Sequence, residues 1–199
     1  MEITAQQIKA LREATGAGVL DCRKALQAHE GDFEKAAAFL REKGLAAAAK
    51  KEGREAKEGI IELYSHGGGR VGVMVEVNCE TDFVARTDRF KTFAHDLALH
   101  IAASAPKYVD VTDIPAEVVE GKRAADRSQA LQEGKPERVI DKIVDGRLEK
   151  FYQETCLVRQ PFVKNEDLTV ADLIKQTIAA IGENIIVRRF ARWELGEAA

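Results

Sequence analysis

The sequence has little with which to do covalent chemistry. Its three cysteines, Cys22, Cys79 and Cys156, are odd in number and far apart, and no C-x-x-C occurs. That excludes a disulfide framework and fits a reducing, cytoplasmic location. The four histidines, His29, His66, His95 and His100, show no H-E-x-x-H or Cys/His ligand spacing, so no metal site is expected. There is no G-x-S-x-G and no G-x-x-x-x-G-K-[ST]. Residues 67–72, GGGRVG, do fit G-x-G-x-x-G. Phosphate binding there requires a helix to follow, and a strand pattern follows instead, so the segment reads as a hairpin turn. No apolar run approaches the ~18 residues that cross a bilayer. The stretch MEITAQQIKALREATGAG has no apolar core of a leader peptide, so neither a membrane span nor secretion is expected. With no nucleophile–base pair and no cofactor fingerprint, the expectation is a protein that is not an enzyme and carries no cofactor.

What is present suits a solvated globular chain. Of 199 residues, 45% are hydrophobic and 32% charged, too apolar for disorder. The net charge of -3 argues against a dedicated nucleic-acid binder. One rival stretch, RRFARW at 188–193, mixes arginine with aromatics as nucleic-acid platforms do. An RNA-binding reading would rest on Arg188, Arg189 and Arg192. The acidic total favours an amphipathic strand instead, with Phe190 or Trp193 packed inside, since phosphate binding is chiefly electrostatic.

Along the chain, residues 4–44 predict three short helices. Thr4 and Gln7 make a capping box before Ile8 and Leu11, and TGAG at 15–18 stops the first helix. The second ends at Gly31. Asp32 caps a third, in which Phe33, Ala36, Ala37 and Leu40 recur at helical spacing. So small a core is marginal alone, which suits a recognition module. Residues 45–57, LAAAAKKEGREAK, read as a helical linker with Gly53 as its weak point. From 58 to 199 the pattern is that of an α+β core domain. GIIELYSH and RVGVMVEVNC form a hairpin in which Val71, Val73, Val75 and Val77 share one face. A helix follows with Phe90, Ala94, Leu97 and Ile101 in register. A helical segment over about 115–154 opens its two helices near Pro115 and Pro136, and a last helix ends at Gly182 before the strand NIIVRRFARWEL. A three-stranded antiparallel sheet covered by helices on one face leaves its other face open, and a second copy of the chain is the expected cover.

The stretch VNCETDFVAR at 77–86 begins as a buried strand and ends as a helix start. It places Phe83 beside Asp82 on a junction that should be polar. Two readings stand. Phe83 turns inward as a core residue while Asp82 caps the next helix. Alternatively, Phe83 is presented as an interface anchor.

Five segments in order, LREATGAGVLDCRKAL (11–26), VNCETDFVAR, GKPERVIDKIVDGRLEKF (134–151), QPFV (160–163) and IGENIIVRRF (181–190), resemble the bacterial elongation factor Ts family in its short form. They cover nearly the whole chain. The resemblance implies a guanine-nucleotide exchange factor for the GTPase elongation factor Tu. It implies an amino-terminal module similar to ubiquitin-associated domains. It also implies that Thr81, Asp82, Phe83 and Val84 disturb the Mg²⁺ site of the GTPase, with Asp82 and Phe83 as the intruding pair. The partner-binding surface of the module maps to Leu11, Arg12, Gly16, Ala17, Gly18, Val19 and Leu20. Many relatives carry two methionines where this chain has Val19 and Leu20. His66 resembles a hairpin-tip residue that meets a second domain of the partner. The short form implies a homodimer, and Ala191, between Phe190 and Arg192, leaves no cysteine for a covalent link there. No direct nucleic-acid or membrane contact is implied. The alternative is a binding module of similar shape that does not accelerate nucleotide release.

Overall fold

The computed structural model describes residues 3–197 and shows a mixed helix-and-sheet chain. Two compact units divide it. The first gathers the residues through Ile61, then Glu76–Ala94 and Asp172–Val187; the second gathers Glu62–Val75, His95–Ala171 and the residues from Arg188 onward. The chain therefore passes several times between units, and the units do not follow the sequence boundaries at 44 and 57.

Three helices open the first unit: α1 (Ala5–Thr15), α2 (Val19–Ala28) and α3 (Phe33–Ala49). The Thr4–Gln7 capping box is present, with Gln7 N–H donating to Thr4 Oγ1 and Thr4 N–H donating to Gln7 Oε1. Asp32 accepts from Lys35 N–H at 3.0 Å and caps α3. Leu11, Cys22, Ala25, Leu26, Ala36, Ala37 and Leu40 form the buried core of these three helices. The third helix runs on through Gly44 to Ala49, so the first five residues of the expected linker are part of it. The alanine-rich sequence has the highest helix propensity available and nothing in it stops the helix. Gly53 does break the path, with φ +82°.

Strands β1 (Glu58–His66), β2 (Val71–Cys79) and, after an intervening run of helices, β5 (Ile185–Glu194) form a three-stranded antiparallel sheet in the order β1-β2-β5. Gly67, Gly68 and Gly69 all have left-handed φ, from +60° to +91°. That turn is one only glycine makes without strain, and Arg70 N–H closes it on His66 C=O at 3.1 Å. GGGRVG is thus a hairpin tip. Val71, Val73, Val75 and Val77 are all buried, as period two requires.

A one-turn helix α4 (Asp82–Ala85) leads into α5 (Asp88–Ser104), whose Phe90, Ala94, Leu97 and Ile101 are buried. Helices α6 (Ala116–Gln132) and α7 (Glu137–Thr155) form a hairpin around Ala130, Ile140, Val144 and Leu148. Strands β3 (Pro161–Phe162) and β4 (Asn165–Thr169) pair as a small ribbon that the sequence pattern did not announce. Helix α8 (Val170–Ile181) ends at Gly182, whose N–H reaches Ile178 C=O at 2.8 Å with φ +90°. Eight α-helices are present among the described residues. None of them is long and apolar enough to cross a membrane.

Candidate protein-docking site

The junction after β2 is held by two carboxylates that cross. The Glu183 carboxylate accepts Glu80 N–H at 3.1 Å and Thr81 N–H at 3.0 Å on Oε2, and the Thr81 hydroxyl at 2.7 Å on Oε1. In return the Glu80 carboxylate accepts Asn184 N–H at 2.7 Å, and its other oxygen lies 3.6 Å from the Arg54 guanidinium. The Asn184 side chain, itself buried, donates to Arg54 C=O at 2.7 Å. Charge-assisted bonds of this kind are short and strong. They fix the backbone at 80–81 before α4 begins.

Thr81, not Asp82, caps α4. Its Oγ1 accepts Val84 N–H at 3.4 Å while its own proton goes to Glu183. The expectation that Asp82 is the cap is corrected: a residue already inside the first turn cannot occupy the cap position, and Asp82 instead pairs with Arg86 at 2.8 Å one turn on. Val84 is half-buried and Ala85 buried, which pins one side of the turn. Phe83 falls on the other side and is 79% exposed. The inward reading of Phe83 is therefore overturned. A turn tied at its start to Glu183 holds an aromatic ring in water.

Beneath the junction, burial and then the negative charge of Glu183 push the Cys79 thiol up to about 11, so it stays a neutral thiol. All three cysteines are buried and free. His100 is buried; its Nδ1 accepts Val163 N–H at 3.2 Å and its Nε2 lies 3.0 Å from Gln160 Oε1, and burial lowers its pKa. Among the described residues no three His, Cys, Asp or Glu side chains are grouped so as to hold a metal ion.

In the amino-terminal module, Gly16 takes φ +69° and closes α1 through its N–H on Arg12 C=O at 2.7 Å. A Cβ there would stand 2.4 Å from the Arg89 guanidinium. The α1–α2 turn then presents Gly18, Val19 and Leu20, with Val19 51% and Leu20 71% exposed. Arg12 is exposed, and Gly16 and Ala17 are half-buried. Leu11 differs from the rest of this set: it is fully buried, in the core of its own three helices. Its position on the core-facing side of α1 dictates that, and it has no exposed surface to offer a partner. Leu11 is corrected accordingly.

His66 belongs to the second unit. It is exposed at the hairpin tip, with Nδ1 3.1 Å from the Tyr64 hydroxyl and its ring stacked on that of Tyr64. Nearby in the same unit, Leu63, Met74 and Trp193 are exposed and line a shallow groove with Tyr64, Ser65, Gly72 and Val73. Trp193 is thus outside and not in the core, because it is an odd number of residues from the half-buried Phe190 and Arg192 takes the inner position. Arg192 donates to Ala102 C=O and pairs with Glu194 at 2.6 Å and Glu197 at 3.4 Å. Those two acids neutralise a cation that the RNA-binding reading needs. Sequence reasoning missed Glu183 and Asn184 as holders of the junction; the stretch containing them stood out only as a motif.

Two turns of the first unit thus offer exposed apolar side chains, Val19 and Leu20 on one and Phe83 on the other. Comparison with known proteins identifies the family. The family model described as Elongation factor TS matches residues 27–197. Elongation factor Ts of Carboxydothermus hydrogenoformans is 62% identical, covering 98% of this chain and 90% of its own length. The proteins of that name from Desulfitobacterium hafniense and Heliobacterium modesticaldum are 60% and 58% identical over 98% of this chain, covering 90% and 91% of their own lengths. These matches along almost the whole sequence lead to one conclusion: the chain belongs to the elongation factor Ts family.

Proposed function

We propose that Phe83 is the working part of this exchange factor, a wedge that enters the partner beside its nucleotide. The chain is a guanine-nucleotide exchange factor for elongation factor Tu in translation elongation, as its family is. It changes a binding equilibrium and makes or breaks no covalent bond. The observation that carries the wedge is the ring of Phe83, 79% exposed on a turn whose start is held by the Glu183 carboxylate. Holding a large apolar group in water has a cost that a partner's pocket removes, and a pre-ordered anchor loses little entropy on binding.

In a GTPase, Mg²⁺ joins the bound phosphates to a hydroxyl of the phosphate loop. A ring that spreads the side chains around that ion weakens the hold on GDP. Thr81 and Val84 set the turn's shape. Asp82 approaches with its charge shared with Arg86, so it acts on the partner only by exchanging that pairing for a new one. Linkage follows: whatever factor the protein takes from GDP affinity, GDP takes from the protein's affinity. Incoming nucleotide therefore expels the factor.

Arg12, Gly16, Ala17, Gly18, Val19 and Leu20 form the docking surface of the UBA-like module, and His66 meets a second domain of the GTPase. The open groove at Leu63, Met74 and Trp193 takes a second copy of the chain, which gives a cytoplasmic homodimer. Sedimentation of the wild type and of Trp193→Asp checks the dimer: the variant is expected to be a monomer.

The function is tested by release of a fluorescent GDP analogue from elongation factor Tu. The expected result is strong acceleration by the wild type. A protein that binds the nucleotide-free GTPase but leaves the release rate unchanged would be a binding module only.

A further inference from the structure

The exchange mechanism needs Phe83 at a fixed place, and nothing in α4 itself supplies that. The helix is one turn long. An isolated turn of four residues is far below the length at which a helix persists alone. The order comes from the turn between α8 and β5, about a hundred residues on. Gly182 takes φ +90°, and its C=O accepts the Lys51 ammonium. The left-handed step sends Glu183 toward the junction, where three donors converge on its carboxylate.

We propose that Glu183 is a positioning residue for nucleotide exchange: it sets where Phe83 stands by holding the two backbone N–H groups and the hydroxyl that begin its turn. The proposal rests on the wedge reading of Phe83 and deepens it. The chemistry of the site requires a glutamate. A carboxylate offers two acceptor oxygens, each able to take more than one bond, whereas an amide offers one acceptor oxygen and a donor. With Gln at 183, the amide oxygen can keep both N–H groups and the amide nitrogen must then donate to Thr81 Oγ1. That oxygen already accepts Val84 N–H, so the cap is strained but not abolished. With Ala, both backbone donors and the hydroxyl lose their acceptor. Asn184, Glu80 and Arg54 would still tie the strands together, so the sheet end remains while the turn loosens.

The test is a cycle of the wild type, Glu183→Ala, Phe83→Ala and the double variant, each read as the maximal GDP release rate from elongation factor Tu at saturating factor. Thermal melting and the amide NMR signals of Glu80 and Thr81 are recorded beside it. Glu183→Ala is expected to lower the maximal rate by ~10- to ~100-fold, the range for misplacement of a working group from a distance. Glu183→Gln should fall between it and the wild type. The double variant should be no slower than Phe83→Ala, because a residue that acts through another has nothing left to position. A merely structural residue would lower melting temperature and affinity, and its effect would multiply with that of Phe83→Ala.

If Phe83→Ala slows release and folded Glu183→Ala does not, the role of Glu183 is overturned and the wedge stands. If the two effects multiply, it is overturned too. If Phe83→Ala leaves release unchanged, the wedge reading fails and takes this proposal with it. Should Glu183→Ala not fold, Glu183→Gln serves: it keeps the side chain's size while disturbing its hold on the Thr81 hydroxyl, and a reduction masked by Phe83→Ala supports the proposal while an unmasked one contradicts it.

Discussion

Val19 with Leu20 on one side and Phe83 on the other are among the apolar side chains that the first unit holds out in water, and they are supported in opposite ways. Val19 and Leu20 stand on the first turn of a ten-residue helix whose inner face, Cys22, Ala25 and Leu26, is buried with Leu11 and α3. That support is hydrophobic, non-directional and tolerant of small shifts. Phe83 stands on a four-residue turn with one buried residue of its own, Ala85, and is held by hydrogen bonds to Glu183 and through the Glu80–Asn184 exchange. That support is directional and tolerates little. The difference fits the work proposed for each. A docking surface has only to be present, whereas a wedge must be in one place.

The largest effect that would break the comparison is expected on the hydrophobic side. Leu26→Ala empties part of a small core and should cost about 2–5 kcal/mol, the usual range for such deletions. Urea unfolding followed by helix signal should show the amino-terminal helices melting first, with Phe83 still presented. Asn184→Ala attacks the other support. It removes a buried donor to Arg54 C=O and should cost about 1–3 kcal/mol, since the carbonyl is left unpaired. Its unfolding midpoint should fall less than that of Leu26→Ala, while its maximal release rate should fall more. Thr81→Ala removes the cap and the Glu183 contact together and should destabilise by about 1 kcal/mol. Leu20→Ala should change stability by no more than about 0.5 kcal/mol, as for most exposed positions. Isothermal titration against nucleotide-free elongation factor Tu should still find binding weakened on the order of tenfold, the lower edge of an anchor contact.

Acid gives the smallest and most selective effect. The Lys35 backbone N–H lowers the pKa of Asp32, and the Lys43 hydrogen bond lowers that of Asp21, both from 3.8. A depressed folded value means stability that is complete above the usual carboxylate range and lost as pH falls through it. Helicity of the amino-terminal module should therefore decline below pH ~4, and Asp32→Asn should flatten that decline while leaving the neutral-pH fold intact.

How much of this was legible in the sequence follows the range of the interactions. The capping residues Thr4 and Asp32 act over three positions, and the pattern shows them. The valine face of β2 and the glycine tip of its hairpin are local as well. The pairing of β3 with β4 was not legible, because Pro161–Phe162 is two residues long and has no period to read. Leu11 carried both a core spacing and a family surface, and only burial decided between them. Asp82 looked like a cap because an acid before an apolar run usually is one, but Thr81 holds that position by one residue. Glu183 lies 102 residues from Thr81, and no local rule connects them. The motifs drew attention to the turn that carries Phe83, and the long-range polar contacts that hold its start became visible only in the fold.

The most direct test of the account is the maximal rate of fluorescent GDP release from elongation factor Tu at saturating wild-type factor and at saturating Phe83→Ala, with the melting temperature of each recorded. The account predicts unchanged melting, retained binding to the nucleotide-free GTPase and a release rate that falls close to the spontaneous one. A Phe83→Ala protein that binds and releases GDP as fast as the wild type would contradict it.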